Sequence, residues 1–576
     1  MSLSPDARTA SFESLPPPRC SVKLKSPALL LFGQVHIRTP LAQTLVDTRL
    51  FQRCKSINQL QNTHYVYPSA THRRFEHQLD CYHCTNLWLD HLFEQQPELH
   101  AQCDARHREL IAVAALLHDV GHCGPLAHSI DKHVFPLLGL PENTHHERRS
   151  VQGVQYLADE VLPRRARECG DPSVALSPEE TRFVCSVIMG DPIEGMARWM
   201  FQLVASYNNE VDSDRLVYLN RDALAVGFRH SIDIPRLLRN TRVIDGNVCF
   251  CSKAANEVYN VFHLRYQMHA NVYQHHAVTS VDLVMRDILV CLGQALRWKH
   301  KVERGPRGWM ELTDDLVQGL LNASEPLQLP DATEQEKLWF ARAQRLAEDR
   351  LYCRRFYQQI HACTLSAAEL RDRDVARVPE ELQRLYPTRR IHVMKCVLGF
   401  SYNDTNPLDR IRYYDRARPD VAFPIAREER SKMISSDYAE TKLCYFVAPP
   451  GNEEIDEAIH ALDRERERRA QALASSPSPS SFSSSTTSAE DAKELVPETP
   501  CEKAQQSPAP FVISQSPVKP LLVNARGSLV HVRPQRQLSV PDLSRYDVYT
   551  ESLSLDAAHP DEQPQPDDSA SKRQKL

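Results

Sequence analysis

The sequence predicts a mainly α fold with a smaller α+β lobe toward the C-terminus and disordered tails at both ends. Apolar residues recur at helical spacing, with frequent caps, from about residue 28 to residue 470. Strand signals are sparse and late, the better ones at 391–400 and 441–448. Composition changes sharply outside these limits: residues 1–27 are rich in Ser and Pro, and nine of the fourteen residues 475–488 are Ser.

The 576 residues are 42% hydrophobic and 25% charged, an ordinary globular balance. Only 17 are Gly, which argues against a glycine-loop nucleotide fold. No stretch approaches the ~18 apolar residues of a membrane helix, and mean hydropathy is -0.45. A formal net charge of -5 gives no global pull toward nucleic acid or anionic lipid, so either would need a local patch, such as Arg384, Arg389 and Arg390. Sixteen scattered cysteines fit free thiols in a reducing compartment. Cys81, His83 and Cys84 read as helix packing rather than a structural zinc site, which wants four ligands. The start has no apolar signal core, yet carries only two acidic residues before position 40. Localisation therefore stays open between nucleus, cytoplasm and mitochondrion; the terminal SKRQKL fits either nuclear import or a solubilising end.

In order along the chain, 74–93 predicts a helix with Phe75, Leu79, Tyr82, Leu89, Leu92 and Phe93 on its apolar face. Residues 105–119 predict a central helix capped by Asp104 and apolar all round from Leu110 to Leu117. Residues 253–297 read as a long helical stretch kinked near His275–Thr279. Residues 453–470 form an amphipathic helix closing the folded part.

The chemistry starts where the apolar helix ends in His118-Asp119. Burying an imidazole and a carboxylate costs several kcal/mol unless they pair or bind a metal. His122 and His128 follow at once, His77 lies upstream in HRRFEH, and Asp214 lies downstream in DSDR. Two His and two Asp make a mixed nitrogen and oxygen set suited to Mn, Fe, Mg or Zn, with positions left for water and phosphate oxygen. Arg265, His269 and Tyr273, spaced by four, would share one helix face.

These motifs resemble the HD-domain phosphohydrolases, and within them the sterile-alpha-motif and HD-domain deoxynucleoside triphosphate triphosphohydrolases. The resemblance covers roughly residues 45 to 460. It rests on LLHDVGH and on INQLQNTHYVYPSATHRRFEH (57–77), EVDSDRLVYLNRD (210–222), FHLRYQMHANVYQH (262–275) and NPLDRIRYYD (406–415). It implies a disordered N-terminus at 1–27, an HD-domain helical bundle at 28–310, a C-terminal lobe at 311–470 and a disordered Ser/Pro-rich tail at 471–576. It implies an enzyme that hydrolyses a dNTP to deoxynucleoside and inorganic triphosphate with a divalent metal, controlling dNTP pools. His77, His118, Asp119 and Asp214 would hold the metal. Arg74, His122, Arg215 and Arg265 would contact phosphate. Gln59 and Asp222 would hold the sugar 3'-hydroxyl, and Tyr218 and Tyr273 would wall the sugar, with His269 and Gln274 beside them. His128 held by Asp131, and His146 with Glu147, would be the acid/base pairs. A homo-oligomer, dimer or tetramer, and a GTP or dNTP activator at Asp47, Gln52 and Lys55 belong to the same expectation.

The sequence also departs from the family pattern. Cys123 is an extra residue that would shift His128. His145 stands beside His146. Lys55 stands where the family has Arg, which loses bidentate recognition, and no sterile-alpha-motif domain is expected. Two other readings stay open: a different HD phosphohydrolase acting on cyclic nucleotides, monophosphates or alarmones, and a nucleotide- or nucleic-acid-binding protein with a vestigial site.

Overall fold

The computed structural model describes residues 22–124, 127–141, 145–322, 331–365, 378–400, 406–430, 434, 438–475, 522–523 and 529–530. The chain divides into two units, Met1–Ser480 and Ser481–Leu576. In the second, the described residues are the antiparallel strands Leu522–Val523 and Leu529–Val530. Residues 1–21 of the expected lead-in, and the rest of the expected tail beyond residue 475, lie outside the described residues.

At both ends the described residues extend a few positions past the expected folded limits. Lys25 N donates to Gln43 Oε1 at 2.9 Å, and its ammonium pairs with Asp47 at 2.6 Å. Val35 and Ile37 return backbone bonds to Pro27 and Lys25, both within the expected lead-in. The closing helix runs Glu453–Ser475, past residue 470, because RERERRAQALA is all good helix former.

Two helices make the centre. Arg74–Gln95 buries Leu79, Tyr82, Trp88, Leu89 and Leu92. It packs on Ala105–Leu117, whose residues Leu110 to Leu117 are all buried and whose N-cap Asp104 accepts from His107 N at 2.8 Å. A third helix, Ser213–Ala225, lies against Arg74–Gln95. The expected long stretch is two helices, Ala255–Met268 and His276–Ala295, joined by a π turn at His269–Tyr273. The break falls just before the expected kink. Gln274 N reaches back five residues to His269 O, and the His275 ring then caps the next helix by accepting from Ala277 N.

The strands at Ile391–Gly399 and Ala439–Val447 stand where the sequence puts them, antiparallel to each other. Their sheet has a third member that the sequence reading missed, Gln358–Leu365, on the other side of Ala439–Val447. Its ragged burial gave no clean alternation. A second sheet orders Thr241–Ile244, Asn247–Cys251, Tyr413–Asp415 and Arg418–Phe423. The first two form a hairpin turning at Asp245-Gly246, both with positive φ (50° and 71°). Asp-Gly between apolar runs is the sequence signal for such a turn, and it was available to be read. The third strand adds in parallel, Phe250 opposite Tyr413 and Cys251 opposite Tyr414, so this sheet spans residue 310.

A buried ionic network ties the later helices together. Arg350 donates to Asp287 at 2.8 Å and Asp456 at 2.6 Å, and Tyr357 Oη donates to Asp287. The basic patch named as a nucleic-acid candidate is committed to local partners: Arg384 pairs with Glu380, Arg389 donates to Ala448 O, and Arg390 pairs with Asp463. Among the described residues Cys54, Cys81, Cys84, Cys103, Cys123 and Cys291 are buried free thiols. No helix among the described residues is long and apolar enough to cross a membrane.

Candidate metal centre and nucleotide site

Four side chains from three helices converge. His77 comes from one turn inside Arg74–Gln95, His118 and Asp119 from the C-terminal end of Ala105–Leu117, and Asp214 from the first turn of Ser213–Ala225. His77 Nε2 lies 3.0 Å from Asp214 Oδ1 and 3.6 Å from Asp119 Oδ2. His118 Nε2 lies 3.4 Å from Asp214 Oδ1 and 3.6 Å from Asp119 Oδ1. His118 Nδ1 donates to Ala115 O at 2.8 Å, which turns Nε2 toward the carboxylates. That Nε2 is buried and has no hydrogen-bond partner. An orphaned imidazole nitrogen between two carboxylates is what a divalent cation site looks like, so these residues fit a metal.

The electrostatics agree. Burial disfavours a charged His118 ring, but Asp119 and Asp214 outweigh it and push its pKa up to about 9. A cation would compete with that proton. Burial opposes ionised Asp119 too, yet His118, Arg74 and His122 hold it well below the ordinary carboxylate range. Cys81, read from sequence as packing, lies one turn along from His77, its Sγ 3.7 Å from the His77 ring nitrogens. Burial keeps it a neutral thiol.

Beside this cluster stand three imidazoles. His122 stacks on His146 with ring centroids 3.8 Å apart, and His128 meets both edge-on at 4.7 and 4.9 Å. His128 thus reaches the group despite the extra Cys123; Pro125 and Leu126 lie outside the described residues. Of the two adjacent histidines, His146 faces the cluster, 3.9 Å from Asp119 and 3.3 Å from Glu147, while His145 is exposed at the helix start. Burial, then the cationic Arg74, hold His128 down to about 3. His122 and His146 are held low as well, by burial first.

One expected pair is corrected. Asp131 does not hold His128: both its oxygens accept from Arg149 Nη2, at 2.7 and 2.8 Å. A π turn over Ile130–Val134 carries Asp131, and a buried guanidinium is a stronger partner for a carboxylate than a neutral imidazole.

Arg74 pairs with Asp119, and Arg215 with Glu210 at 3.0 Å. Arg265 donates to the Gly399 carbonyl at the sheet edge, and Gln274 to that of Val397 at 3.1 Å. The π turn also alters the even spacing expected of Arg265, His269 and Tyr273; the His269 and Tyr273 rings still meet edge-on at 5.0 Å. Asp222 accepts from Tyr273 Oη at 2.7 Å and lies 2.8 Å from His72 Nε2. His72 had no role in the sequence reading, although it sits inside the HRRFEH motif. Gln59 Oε1 is buried without a hydrogen-bond partner, and Tyr218 is half-buried against the core. Lys55 donates to Gln52 and covers the Phe75 ring at 4.6 Å, and Asp47 accepts from Gln43 Nε2 at 3.0 Å.

With that geometry in view, sequence comparison is informative. The deoxynucleoside triphosphate triphosphohydrolase SAMHD1 homolog of Dictyostelium discoideum is 27% identical over 418 residues, covering 71% of this chain and 75% of its own length. SAMHD1 of Homo sapiens is 25% identical over 447 residues, covering 71% and 68%. The chain resembles HD-domain deoxynucleoside triphosphate triphosphohydrolases. An HD domain-containing protein of Acanthamoeba polyphaga mimivirus is also similar, 25% identical over 415 residues, covering 68% of this chain and 85% of that one. No protein-family model matches the chain.

Proposed function

We propose that the protein hydrolyses deoxynucleoside triphosphates to deoxynucleoside and inorganic triphosphate. The observation that carries this reading is the meeting of His77, His118, Asp119 and Asp214 around one small volume. Arg74 stands at one side of it. Names of the relatives point the same way.

His77, His118, Asp119 and Asp214 would hold a divalent cation, which supplies a Lewis acid for a phosphoryl oxygen and lowers the pKa of a water. Arg74 and Arg265 give up their present carboxylate and carbonyl partners to a triphosphate, which offers each a stronger charge-assisted bond, and Arg215 adds a third cation to it. His128 and His146 are neutral without substrate. A triphosphate beside them raises their proton affinity, so the acid that protonates the departing 5'-oxygen is charged only when there is a bond to break. With Asp131 committed to Arg149, His146 backed by Glu147 is the better supported acid. Asp222, fixed by His72 and Tyr273, accepts the sugar 3'-hydroxyl, and the Tyr273 ring closes the space a 2'-hydroxyl would need. A homo-oligomer activated by GTP or a dNTP at Asp47, Gln52 and Lys55 belongs to this same proposal.

Incubating the purified chain with each dNTP, with and without GTP, in Mn or Mg, tests it. Stoichiometric deoxynucleoside and inorganic triphosphate are expected. Release of pyrophosphate or monophosphate, or no turnover under any of these conditions, overturns the reading.

A further inference from the structure

Glu210 is built at a cost. Its φ is 55°, in the left-handed region where a side chain other than Gly or Asn is strained by ~1 kcal/mol. Its carboxylate is buried, with the residue only 4% exposed. Strain and a buried charge persist together where the surroundings hold them for a purpose. Here the carboxylate bridges two guanidiniums. It accepts from Arg215 Nη1 at 3.0 Å and from Arg410 Nη2. Arg215 follows Asp214 in sequence and is buried over the Phe262 ring. Arg410 follows the turn Pro407–Asp409, far along the chain, and its second nitrogen donates to Tyr207 O at 3.1 Å.

We propose that Glu210 is a positioning residue: it fixes Arg215 in the orientation that receives a triphosphate, with Arg410 neutralising the carboxylate so that it does not repel the incoming anion. The inference rests on the phosphate-binding role proposed for Arg215.

Simple electrostatics and positioning predict opposite outcomes. Removing a carboxylate near an anion site tightens anion binding if charge alone matters; it weakens binding if the carboxylate aims the arginine. The experiment is calorimetric titration of the manganese-loaded full chain with inorganic triphosphate, for wild type, Glu210→Asn and Glu210→Gly. Both replacements accept positive φ, so they retain the backbone and relieve its strain. Affinity lower by at least fivefold in both variants, with Tm and bound manganese not reduced, is the expected result. Affinity unchanged or increased in either variant while wild type binds overturns the role of Glu210 alone. Absence of binding in wild type overturns the phosphate site itself, and this inference with it.

Discussion

Asp119 is the side chain on which the site converges. Arg74, His77, His118, His122 and His146 all place a nitrogen within 3.9 Å of its oxygens. Arg74 and the His118 ring, raised to about 9, both lean on this carboxylate for their counter-charge. Replacing Asp119→Asn, or His77→Ala, is expected to reduce bound divalent metal to background, read by atomic absorption, and to abolish dNTP turnover. Tyr273→Ala makes a different cut. It removes the bond to Asp222 and the ring, so metal content stays at the wild-type level. Discrimination of dNTP against the ribonucleotide, as a ratio of kcat/KM, is expected to fall by about tenfold, or ~1.4 kcal/mol. The convergence of His77, His118, Asp119 and Asp214 was legible in the sequence, because an imidazole and a carboxylate ending an apolar helix have few inexpensive explanations. Partner choice was not. Nothing local to Asp131 says that Arg149, eighteen residues on, will take both of its oxygens, and nothing around Glu210 announces Arg410.

The elements deliver these side chains through close approaches. At Gly121, a Cβ would lie 2.2 Å from Ser150 N and 2.3 Å from His146 O. The turn after His118-Asp119 therefore rests directly on the backbone of the helix His146–Tyr156, and this contact sets His146 beside Asp119. Gly121→Ala must push that helix away. It is expected to lose about 2 kcal/mol or more in urea denaturation, and to lose activity in the fraction that remains folded. The helices themselves were readable from their apolar spacing and caps. The π turns at Ile130–Val134 and His269–Tyr273 were not, because one extra residue in a turn leaves hydrophobic periodicity almost unchanged. The hairpin at Asp245-Gly246 was readable and was passed over beside stronger helical signals.

Across the whole molecule, stability should carry the mark of partly buried acids such as Asp282. Burial raises Asp282 to about 6, against the opposing hydrogen bond from Asn62 Nδ2 at 2.9 Å. A carboxyl whose folded pKa lies above its unfolded value contributes fully below about pH 4 and loses that contribution as pH rises through about 6. Asp282→Asn cannot titrate. Between pH 4 and pH 7 the difference in unfolding free energy should thus move in favour of the variant, by roughly 2 kcal/mol; a gap constant with pH would count against the shift. The late strands at 391–400 and 441–448 could be read from the sequence pattern, but not the way in which a second sheet joins residues 241–251 to residues 413–423. Tyr413 and Tyr414 add in parallel to Phe250 and Cys251, more than 160 residues earlier. During synthesis the hairpin Thr241–Cys251 therefore waits with an unpaired edge until most of the folded chain has left the ribosome. A chain cut short before residue 413 would carry that open edge permanently, ready to recruit strands from its neighbours.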